Sequence, residues 1–152
     1  MSTVGLDPPI TSASEPYWDA TREQRLQYQW CDSCSAWVHY PRPRCPHCLG
    51  TELSWRTPPT DYRLYSWALH RAIGEAPPRM VALVQIDDGL RVLANLVDPD
   101  NDFGDVCVDH PLELVWTPLE DGRHLVDFRL SPSPRDADRD TSDTPNRNEE
   151  QS

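Results

Sequence analysis

The 152-residue chain, with 38% hydrophobic and 26% charged positions, has room for one ordinary domain or two very small ones, which excludes a large multidomain enzyme. Its formal charge of −11 argues against a general polyanion binder, because nonspecific nucleic-acid affinity is built from neutralised phosphates. All 14 basic residues are arginine, so mechanisms that need a lysine Schiff base or a phosphate-loop lysine are excluded as well.

Residues 1–14 are rich in Ser, Thr and Pro and are expected to be disordered. They lack the basic-then-apolar pattern of an export signal, and nowhere does the chain approach the roughly 20 apolar residues of a membrane span. The expected location is therefore the cytoplasm, with no membrane partner. Next, EPYWDATREQRL predicts a short helix over Glu15–Leu26, with Ser14 as N-cap and Pro16 in the first turn. Tyr17, Trp18 and Leu26 give it one apolar side, so it is expected to pack on a larger body. LQYQW then leads as a short strand into the segment that carries the strongest chemical signal.

That segment reads Cys31-Asp-Ser-Cys34, ten intervening residues, then Cys45-Pro-His-Cys48. Each CxxC turn offers two thiolates from one tight loop, and two such knuckles converge on one tetrahedral ion. Arg42 and Arg44 favour thiolate over thiol beside the second knuckle. Four ligands leave no open position for water or substrate, so the site is structural. Zinc is the expected occupant, with iron the alternative metal. A thioredoxin-like redox pair lacks its βαβ context here, and disulfides lack any sign of export. His39 and His47 flank the knuckles as spare candidates.

Beyond Pro59 the apolar period changes from 3.6 to 2. Tyr62–His70, Arg79–Ile86, Leu90–Val97, Leu112–Trp116 and His124–Leu130 all read as strands. Asp87-Asp88-Gly89 and Asp121-Gly122 mark hairpin turns, where glycine supplies a positive φ. A longer acidic connection, DPDNDFGDVCVDHP, separates the third strand from the fourth. Five strands in this order predict a small Greek-key barrel of the OB type, although an open five-stranded sheet fits the same pattern. Cys107, at the end of the acidic connection, is expected to be a buried small hydrophobe with no base beside it. His70, His110 and His124 fall at strand ends or in loops and carry no recognisable acid–base motif. From Ser131 to Ser152 the chain has one Ala and no aromatic residue, so a disordered tail is expected.

The expected organisation is thus a disordered 1–14, helix plus ribbon over 15–58, an OB-fold domain over 59–130 and a tail over 131–152. The ribbon half is the basic one, with eight arginines against five acids from Arg22 to Arg79. From Asp87 to Asp127, eleven acids face two arginines. Such asymmetry implies that the two halves present different surfaces.

PYWDATREQRL, LQYQWCDSC, PRPRCPHC, Leu53-Ser54-Trp55 and RMVALVQIDDGLRVLANLV follow one another in an order that resembles the DUF35 family. These are acyl-CoA-associated OB-fold proteins with a rubredoxin-like zinc ribbon. The resemblance runs from about Pro16 to Leu130. It departs from the family pattern after the last cysteine, where Leu49 precedes Gly50 instead of a glycine coming first. It implies a noncatalytic accessory subunit, partner of a thiolase-superfamily enzyme (a lipid-transfer-protein-like thiolase or aldolase) or of a MaoC-like enoyl-CoA hydratase. The metabolism implied is that of lipids or sterol side chains, with catalytic groups on the partner and acyl-CoA bound at or near the interface.

Arg42, Arg44, Arg56, Arg63 and Arg71 are the candidates for contacting a CoA phosphate or an acidic partner surface. Trp37, Trp55 and Trp67 are candidate interface anchors; the same aromatics would also serve to seal the ribbon against the barrel. The alternative function is a single-stranded nucleic-acid module, since OB barrels and zinc ribbons both serve that purpose. Against it, RMVALVQI and LRVLANLV carry no aromatic residue for base stacking. A third reading, an iron electron carrier, leaves the attached barrel without a purpose.

Overall fold

The structure is a computed structural model and describes residues 8–70, 79–97 and 106–132. The expected tail beyond residue 132, the first seven residues, much of the acidic connection and Arg71 lie outside the described residues.

Helix α1 spans Glu15–Arg22, shorter than the sequence pattern implies. Gln24 adopts a left-handed φ of 53°, and the N–H groups of Gln24 and Arg25 turn back to the carbonyls of Thr21 and Ala20. This is the Schellman ending, with glutamine in the place that glycine normally takes, which is why no stop signal stands in the sequence. Ser14 occupies the N-cap, but its side chain makes no capping bond. Its Oγ accepts instead from the backbone N–H of Thr11. Trp18, Ala20 and Thr21 are the buried face of the helix.

Three short strands follow: β1 Tyr28–Cys31, β2 Ala36–Val38 and β3 Leu53–Arg56. They form an antiparallel sheet in the order β2-β1-β3. After a connection of a few residues come β4 Tyr62–His70, β5 Arg79–Asp87, β6 Leu90–Leu96, β7 Pro111–Pro118 and β8 His124–Leu130. These five close into a barrel, β4-β5-β6-β8-β7, which decides between the barrel and the open sheet. The positive φ values of Gly89 (78°) and Gly122 (84°) sit in the two hairpins.

Closure depends on two weak seams. β4 meets β7 through Tyr62↔Leu112 and Arg63↔Pro111. β6 meets β8 in parallel at a single pair, Leu96↔Phe128. Beyond that pair the two strands are not paired, and a cavity opens between Val92–Asn95 and Leu125–Asp127. Met80, Ala82, Val84 and Ile86 of β5 and Leu90, Val92, Ala94 and Leu96 of β6 alternate inward, as period 2 requires. Phe128 and Leu64 are fully buried at the centre, with the Tyr62 and Phe128 rings edge to face at 5.1 Å.

Ribbon and barrel share one core. Leu26, Tyr28 and Trp37 belong to the same apolar cluster as the barrel residues. The Trp37 indole N–H donates to Asp87 Oδ2 at 2.9 Å, pinning β2 to the β5–β6 hairpin. The helix is tied to β8 by His124, whose Nδ1 lies 2.8 Å from the Thr21 carbonyl. Arg123, almost fully buried, binds Asp121, donates to the Pro8 carbonyl at 2.7 Å and lies over the Trp18 ring at 4.7 Å. Its backbone N–H, followed by its guanidinium, holds the Asp121 carboxyl below the usual range.

Because Phe128 both fills the centre and forms the β6–β8 seam, Phe128→Ala is expected to cost about 3–5 kcal/mol of stability. Urea denaturation of the metal-loaded protein measures it, and a loss below about 1 kcal/mol would contradict this placement of the core.

Candidate metal centre

Two turns bring the cysteines together. The first joins β1 to β2 and carries Cys31 and Cys34; the second precedes β3 and carries Cys45 and Cys48. All four sulfurs lie within 4.8 Å of one another. The pairs Cys31–Cys48 and Cys34–Cys45 are each 3.6 Å apart. A tetrahedron with metal–sulfur bonds of about 2.3 Å has edges of about 3.8 Å, so the sulfurs are placed to take one ion with little movement. The residues therefore fit the metal that the spacing implies. Cys31 and Cys45 are buried beneath Val38 and Leu53, and Cys48 is at the surface.

The backbone around the second knuckle is built for thiolates. Burial opposes ionisation of Cys45, but the N–H groups of Cys48 and His47 and the neighbouring thiols bring it down to about 6. Cys34 moves the other way, pushed up to about 12 by burial and by bonds to Cys31, Cys45 and Cys48. One thiolate thus forms readily and a cation is needed to hold four. His47 acts through its backbone, its N–H reaching Cys45 Sγ at 3.4 Å. His39 sits away from the sulfurs, edge-on to Tyr28 at 5.2 Å. Burial, then Arg42, lowers its imidazole to about 4, so it is neutral at physiological pH. Neither histidine joins the four-sulfur group.

The residue after each knuckle is left-handed: Ser35 has φ 52° and Leu49 has φ 62°. This explains why glycine is favoured directly after the last cysteine and why leucine there is strained. Gly50 has a different task. A Cβ on it would lie 3.2 Å from Cys48 Sγ and 3.4 Å from Ser33 Oγ, so its bareness leaves room beside the ligand.

The surrounding candidates separate into distinct roles. Trp37 is 9% exposed and bonded to Asp87, so it is part of the ribbon–barrel joint and not an exposed anchor. Trp55 is half-buried on β3, and Trp67 is 39% exposed on β4. Arg56 lies over the Trp30 ring at 4.9 Å and binds Asp32 at 2.6 Å. Arg63 binds Asp61 at 2.9 Å. Arg42 exchanges backbone bonds with the Gln29 side chain, while its Nε donates to the Tyr40 carbonyl. Arg44 reaches the Leu49 carbonyl at 3.4 Å. Arg42, Arg44 and Arg56 are exposed on the ribbon.

Cys107 is exposed, contrary to the expectation from sequence. It sits in a turn with Asp109 at φ 66° and Val108 64% exposed, so no core reaches it. His110 Nδ1 lies 3.8 Å from its sulfur, a base that the three-residue separation alone did not reveal. Among the described residues, no helix is long and apolar enough to cross a membrane.

Comparison with known proteins is consistent in order and extent. The rubredoxin-like zinc ribbon domain of ChsH2 matches residues 18–54, and the C-terminal OB-fold domain of ChsH2 matches residues 55–117. A probable enoyl-CoA hydratase alpha subunit of Thermomonospora curvata is 29% identical over 127 residues, covering 80% of this chain and 39% of that relative. The chain thus spans about two fifths of the length of this curated relative. Among solved structures, a chain of an Ltp2-ChsH2(DUF35) aldolase superposes with a TM-score of 0.67 at 29% identity, covering 81% of this chain and 98% of that one. A DUF35 protein of unknown function from Sulfolobus solfataricus has the same fold, with a TM-score of 0.60 at 15% identity over 79% and 86% of the two chains.

Relief of the strain at Leu49 is directly measurable. Leu49→Gly is expected to stabilise the metal-loaded ribbon by up to about 1 kcal/mol, whereas Leu49→Ala, which keeps the Cβ, leaves it unchanged. Thermal unfolding of the three proteins decides this; equal or lower stability for Leu49→Gly would contradict the backbone reading.

Proposed function

The chain belongs to the DUF35 family, with the zinc ribbon and OB-fold of ChsH2, and we propose that it serves as an accessory subunit of an acyl-CoA-processing enzyme. The observation that carries this is the superposition of ribbon and barrel, as one body, on nearly the whole of the ChsH2 chain from an aldolase complex. Its partner is a thiolase-superfamily enzyme of the lipid-transfer-protein-like kind or a MaoC-like hydratase, acting in lipid or sterol side-chain metabolism. The resemblance to a hydratase alpha subunit supports the second of these.

The chain contributes structure and surface. Cys31, Cys34, Cys45 and Cys48 hold one zinc ion, whose chemistry here is to cross-link two turns. With four thiolates around it, the ion has no position left for substrate. The reduced thiols that such a site requires accord with a cytoplasmic protein. Arg42, Arg44, Arg56 and Arg63, with Arg71 beyond them in sequence, meet an acidic partner surface or the CoA phosphates. Trp55 and Trp67 supply apolar contacts at the same junction, aromatic groups being the usual anchors of an interface.

Co-expression with candidate thiolase-like and MaoC-like enzymes tests this reading. The expected outcome is co-purification with one of the two, one zinc per chain, and acyl-CoA turnover by the complex but not by this chain alone. Turnover by the isolated chain, or failure to associate with either class, would overturn it.

A further inference from the structure

Cys107 is the one cysteine outside the four-sulfur group, and it is exposed in the turn at 106–110 that leads into β7. β4 holds that turn through two backbone bonds. The Asp109 N–H donates to the Leu64 carbonyl at 2.7 Å, and the Leu64 N–H donates to the His110 carbonyl at 3.0 Å. The His110 N–H closes the turn on the Cys107 carbonyl at 3.3 Å. Thiol and imidazole therefore stand on a frame anchored to a barrel strand.

The arrangement is that of a nucleophile with a base beside it and a third group orienting the base. His110 Nδ1 lies 3.8 Å from Cys107 Sγ, and its Nε2 lies 3.1 Å from the carbonyl oxygen of Ser131, just after β8. A carbonyl oxygen only accepts, so Nε2 carries the proton of the neutral ring and Nδ1 is left with its lone pair toward the thiol. His110 is half-buried, whereas Cys107 is exposed, so a reagent reaches the sulfur while the base is kept in place. Local charge selects the reagent. From Asp98 to Asp109 the chain carries Asp98, Asp100, Asp102, Asp105 and Asp109 and no basic residue. Such a segment attracts cations and repels anions over about 8 Å, one Debye length at physiological salt.

We propose that Cys107 and His110 form a thiol–disulfide exchange site for small cationic disulfides. As Cys107 Sγ attacks one sulfur of the incoming R–S–S–R, its proton passes to His110 Nδ1. A bond forms between Sγ and that sulfur, the S–S bond of the reagent breaks, and the departing thiolate takes the proton back from Nδ1 and leaves as RSH. The protein thiol is oxidised and one sulfur of the reagent is reduced, so no further oxidant is needed. The product is a mixed disulfide on an exposed turn, and the site stands independently of the accessory role.

Treatment of the zinc-loaded full chain with cystamine, bis(2-hydroxyethyl) disulfide and dithiodipropionate, followed by intact-mass and peptide mass spectrometry, tests it. The expected result is one adduct, at Cys107, with the zinc retained. Cystamine should form it about tenfold faster than the anionic dithiodipropionate at low salt, and the rates should converge at high salt. His110→Phe, at unchanged zinc content, should slow the adduct by about tenfold or more with all three reagents, the loss of a positioned base. Cys107→Ser should give no adduct. If the His110 variant does not fold, the ¹⁵N resonances of the wild-type ring decide: a protonated Nε2 and a bare Nδ1 are expected, and the opposite tautomer overturns the proposal. So does the absence of an adduct at Cys107, an unchanged rate in His110→Phe, or a dithiodipropionate rate equal to that of cystamine at low salt.

Discussion

Convergence of four sulfurs from two turns is the constraint on which the ribbon depends. Strands of three and four residues form its sheet, and a sheet so small is not stable by itself in water. Its own apolar cluster consists of Cys31, Val38 and Cys45, with Leu53 against them. Two of those residues belong to the four-cysteine group that could hold a metal ion, so the core of the ribbon and the candidate metal centre are the same object. A structural ion in such a site contributes on the order of 10 kcal/mol to folding, far more than those few side chains can. The strained turn at Leu49 and the bare Gly50 are tolerated within that margin.

The barrel has a different source of order. Its interior is a continuous apolar cluster of alternating residues from five strands, centred on Leu64 and Phe128. What it lacks is a full β6–β8 seam, and the neighbouring elements compensate for that gap. Asn95 donates to Asp127 across it, α1 lies along β8 through His124 and Arg123, and Tyr28 and Trp37 extend the barrel core into the ribbon. Ribbon, helix and barrel thus share one apolar core, with a cavity where they meet.

The gathering of the four cysteines was legible in the sequence, because CxxC spacing alone specifies two turns with sulfurs on one side. The five barrel strands were equally legible from period 2 and from glycines that the hairpins require. Other features were hidden for physical reasons. Gln24 ends the helix by adopting a conformation that glycine usually takes, so the stop carries no marker. The parallel seam at Leu96↔Phe128 is a tertiary pairing with no local signature. Cys107 lies beside His110 in an exposed turn, although a cysteine flanked by valines reads as apolar. The role of Trp37 depends on Asp87, fifty residues away.

Hydrogen exchange before and after chelation of the metal is the most direct test that the metal orders the ribbon while the barrel stands on its own core. The account predicts that amides of β1, β2 and β3 lose protection on metal removal while those of β5 and β6 keep theirs. Equal loss of protection in the barrel, or a ribbon that stays protected without metal, would contradict it.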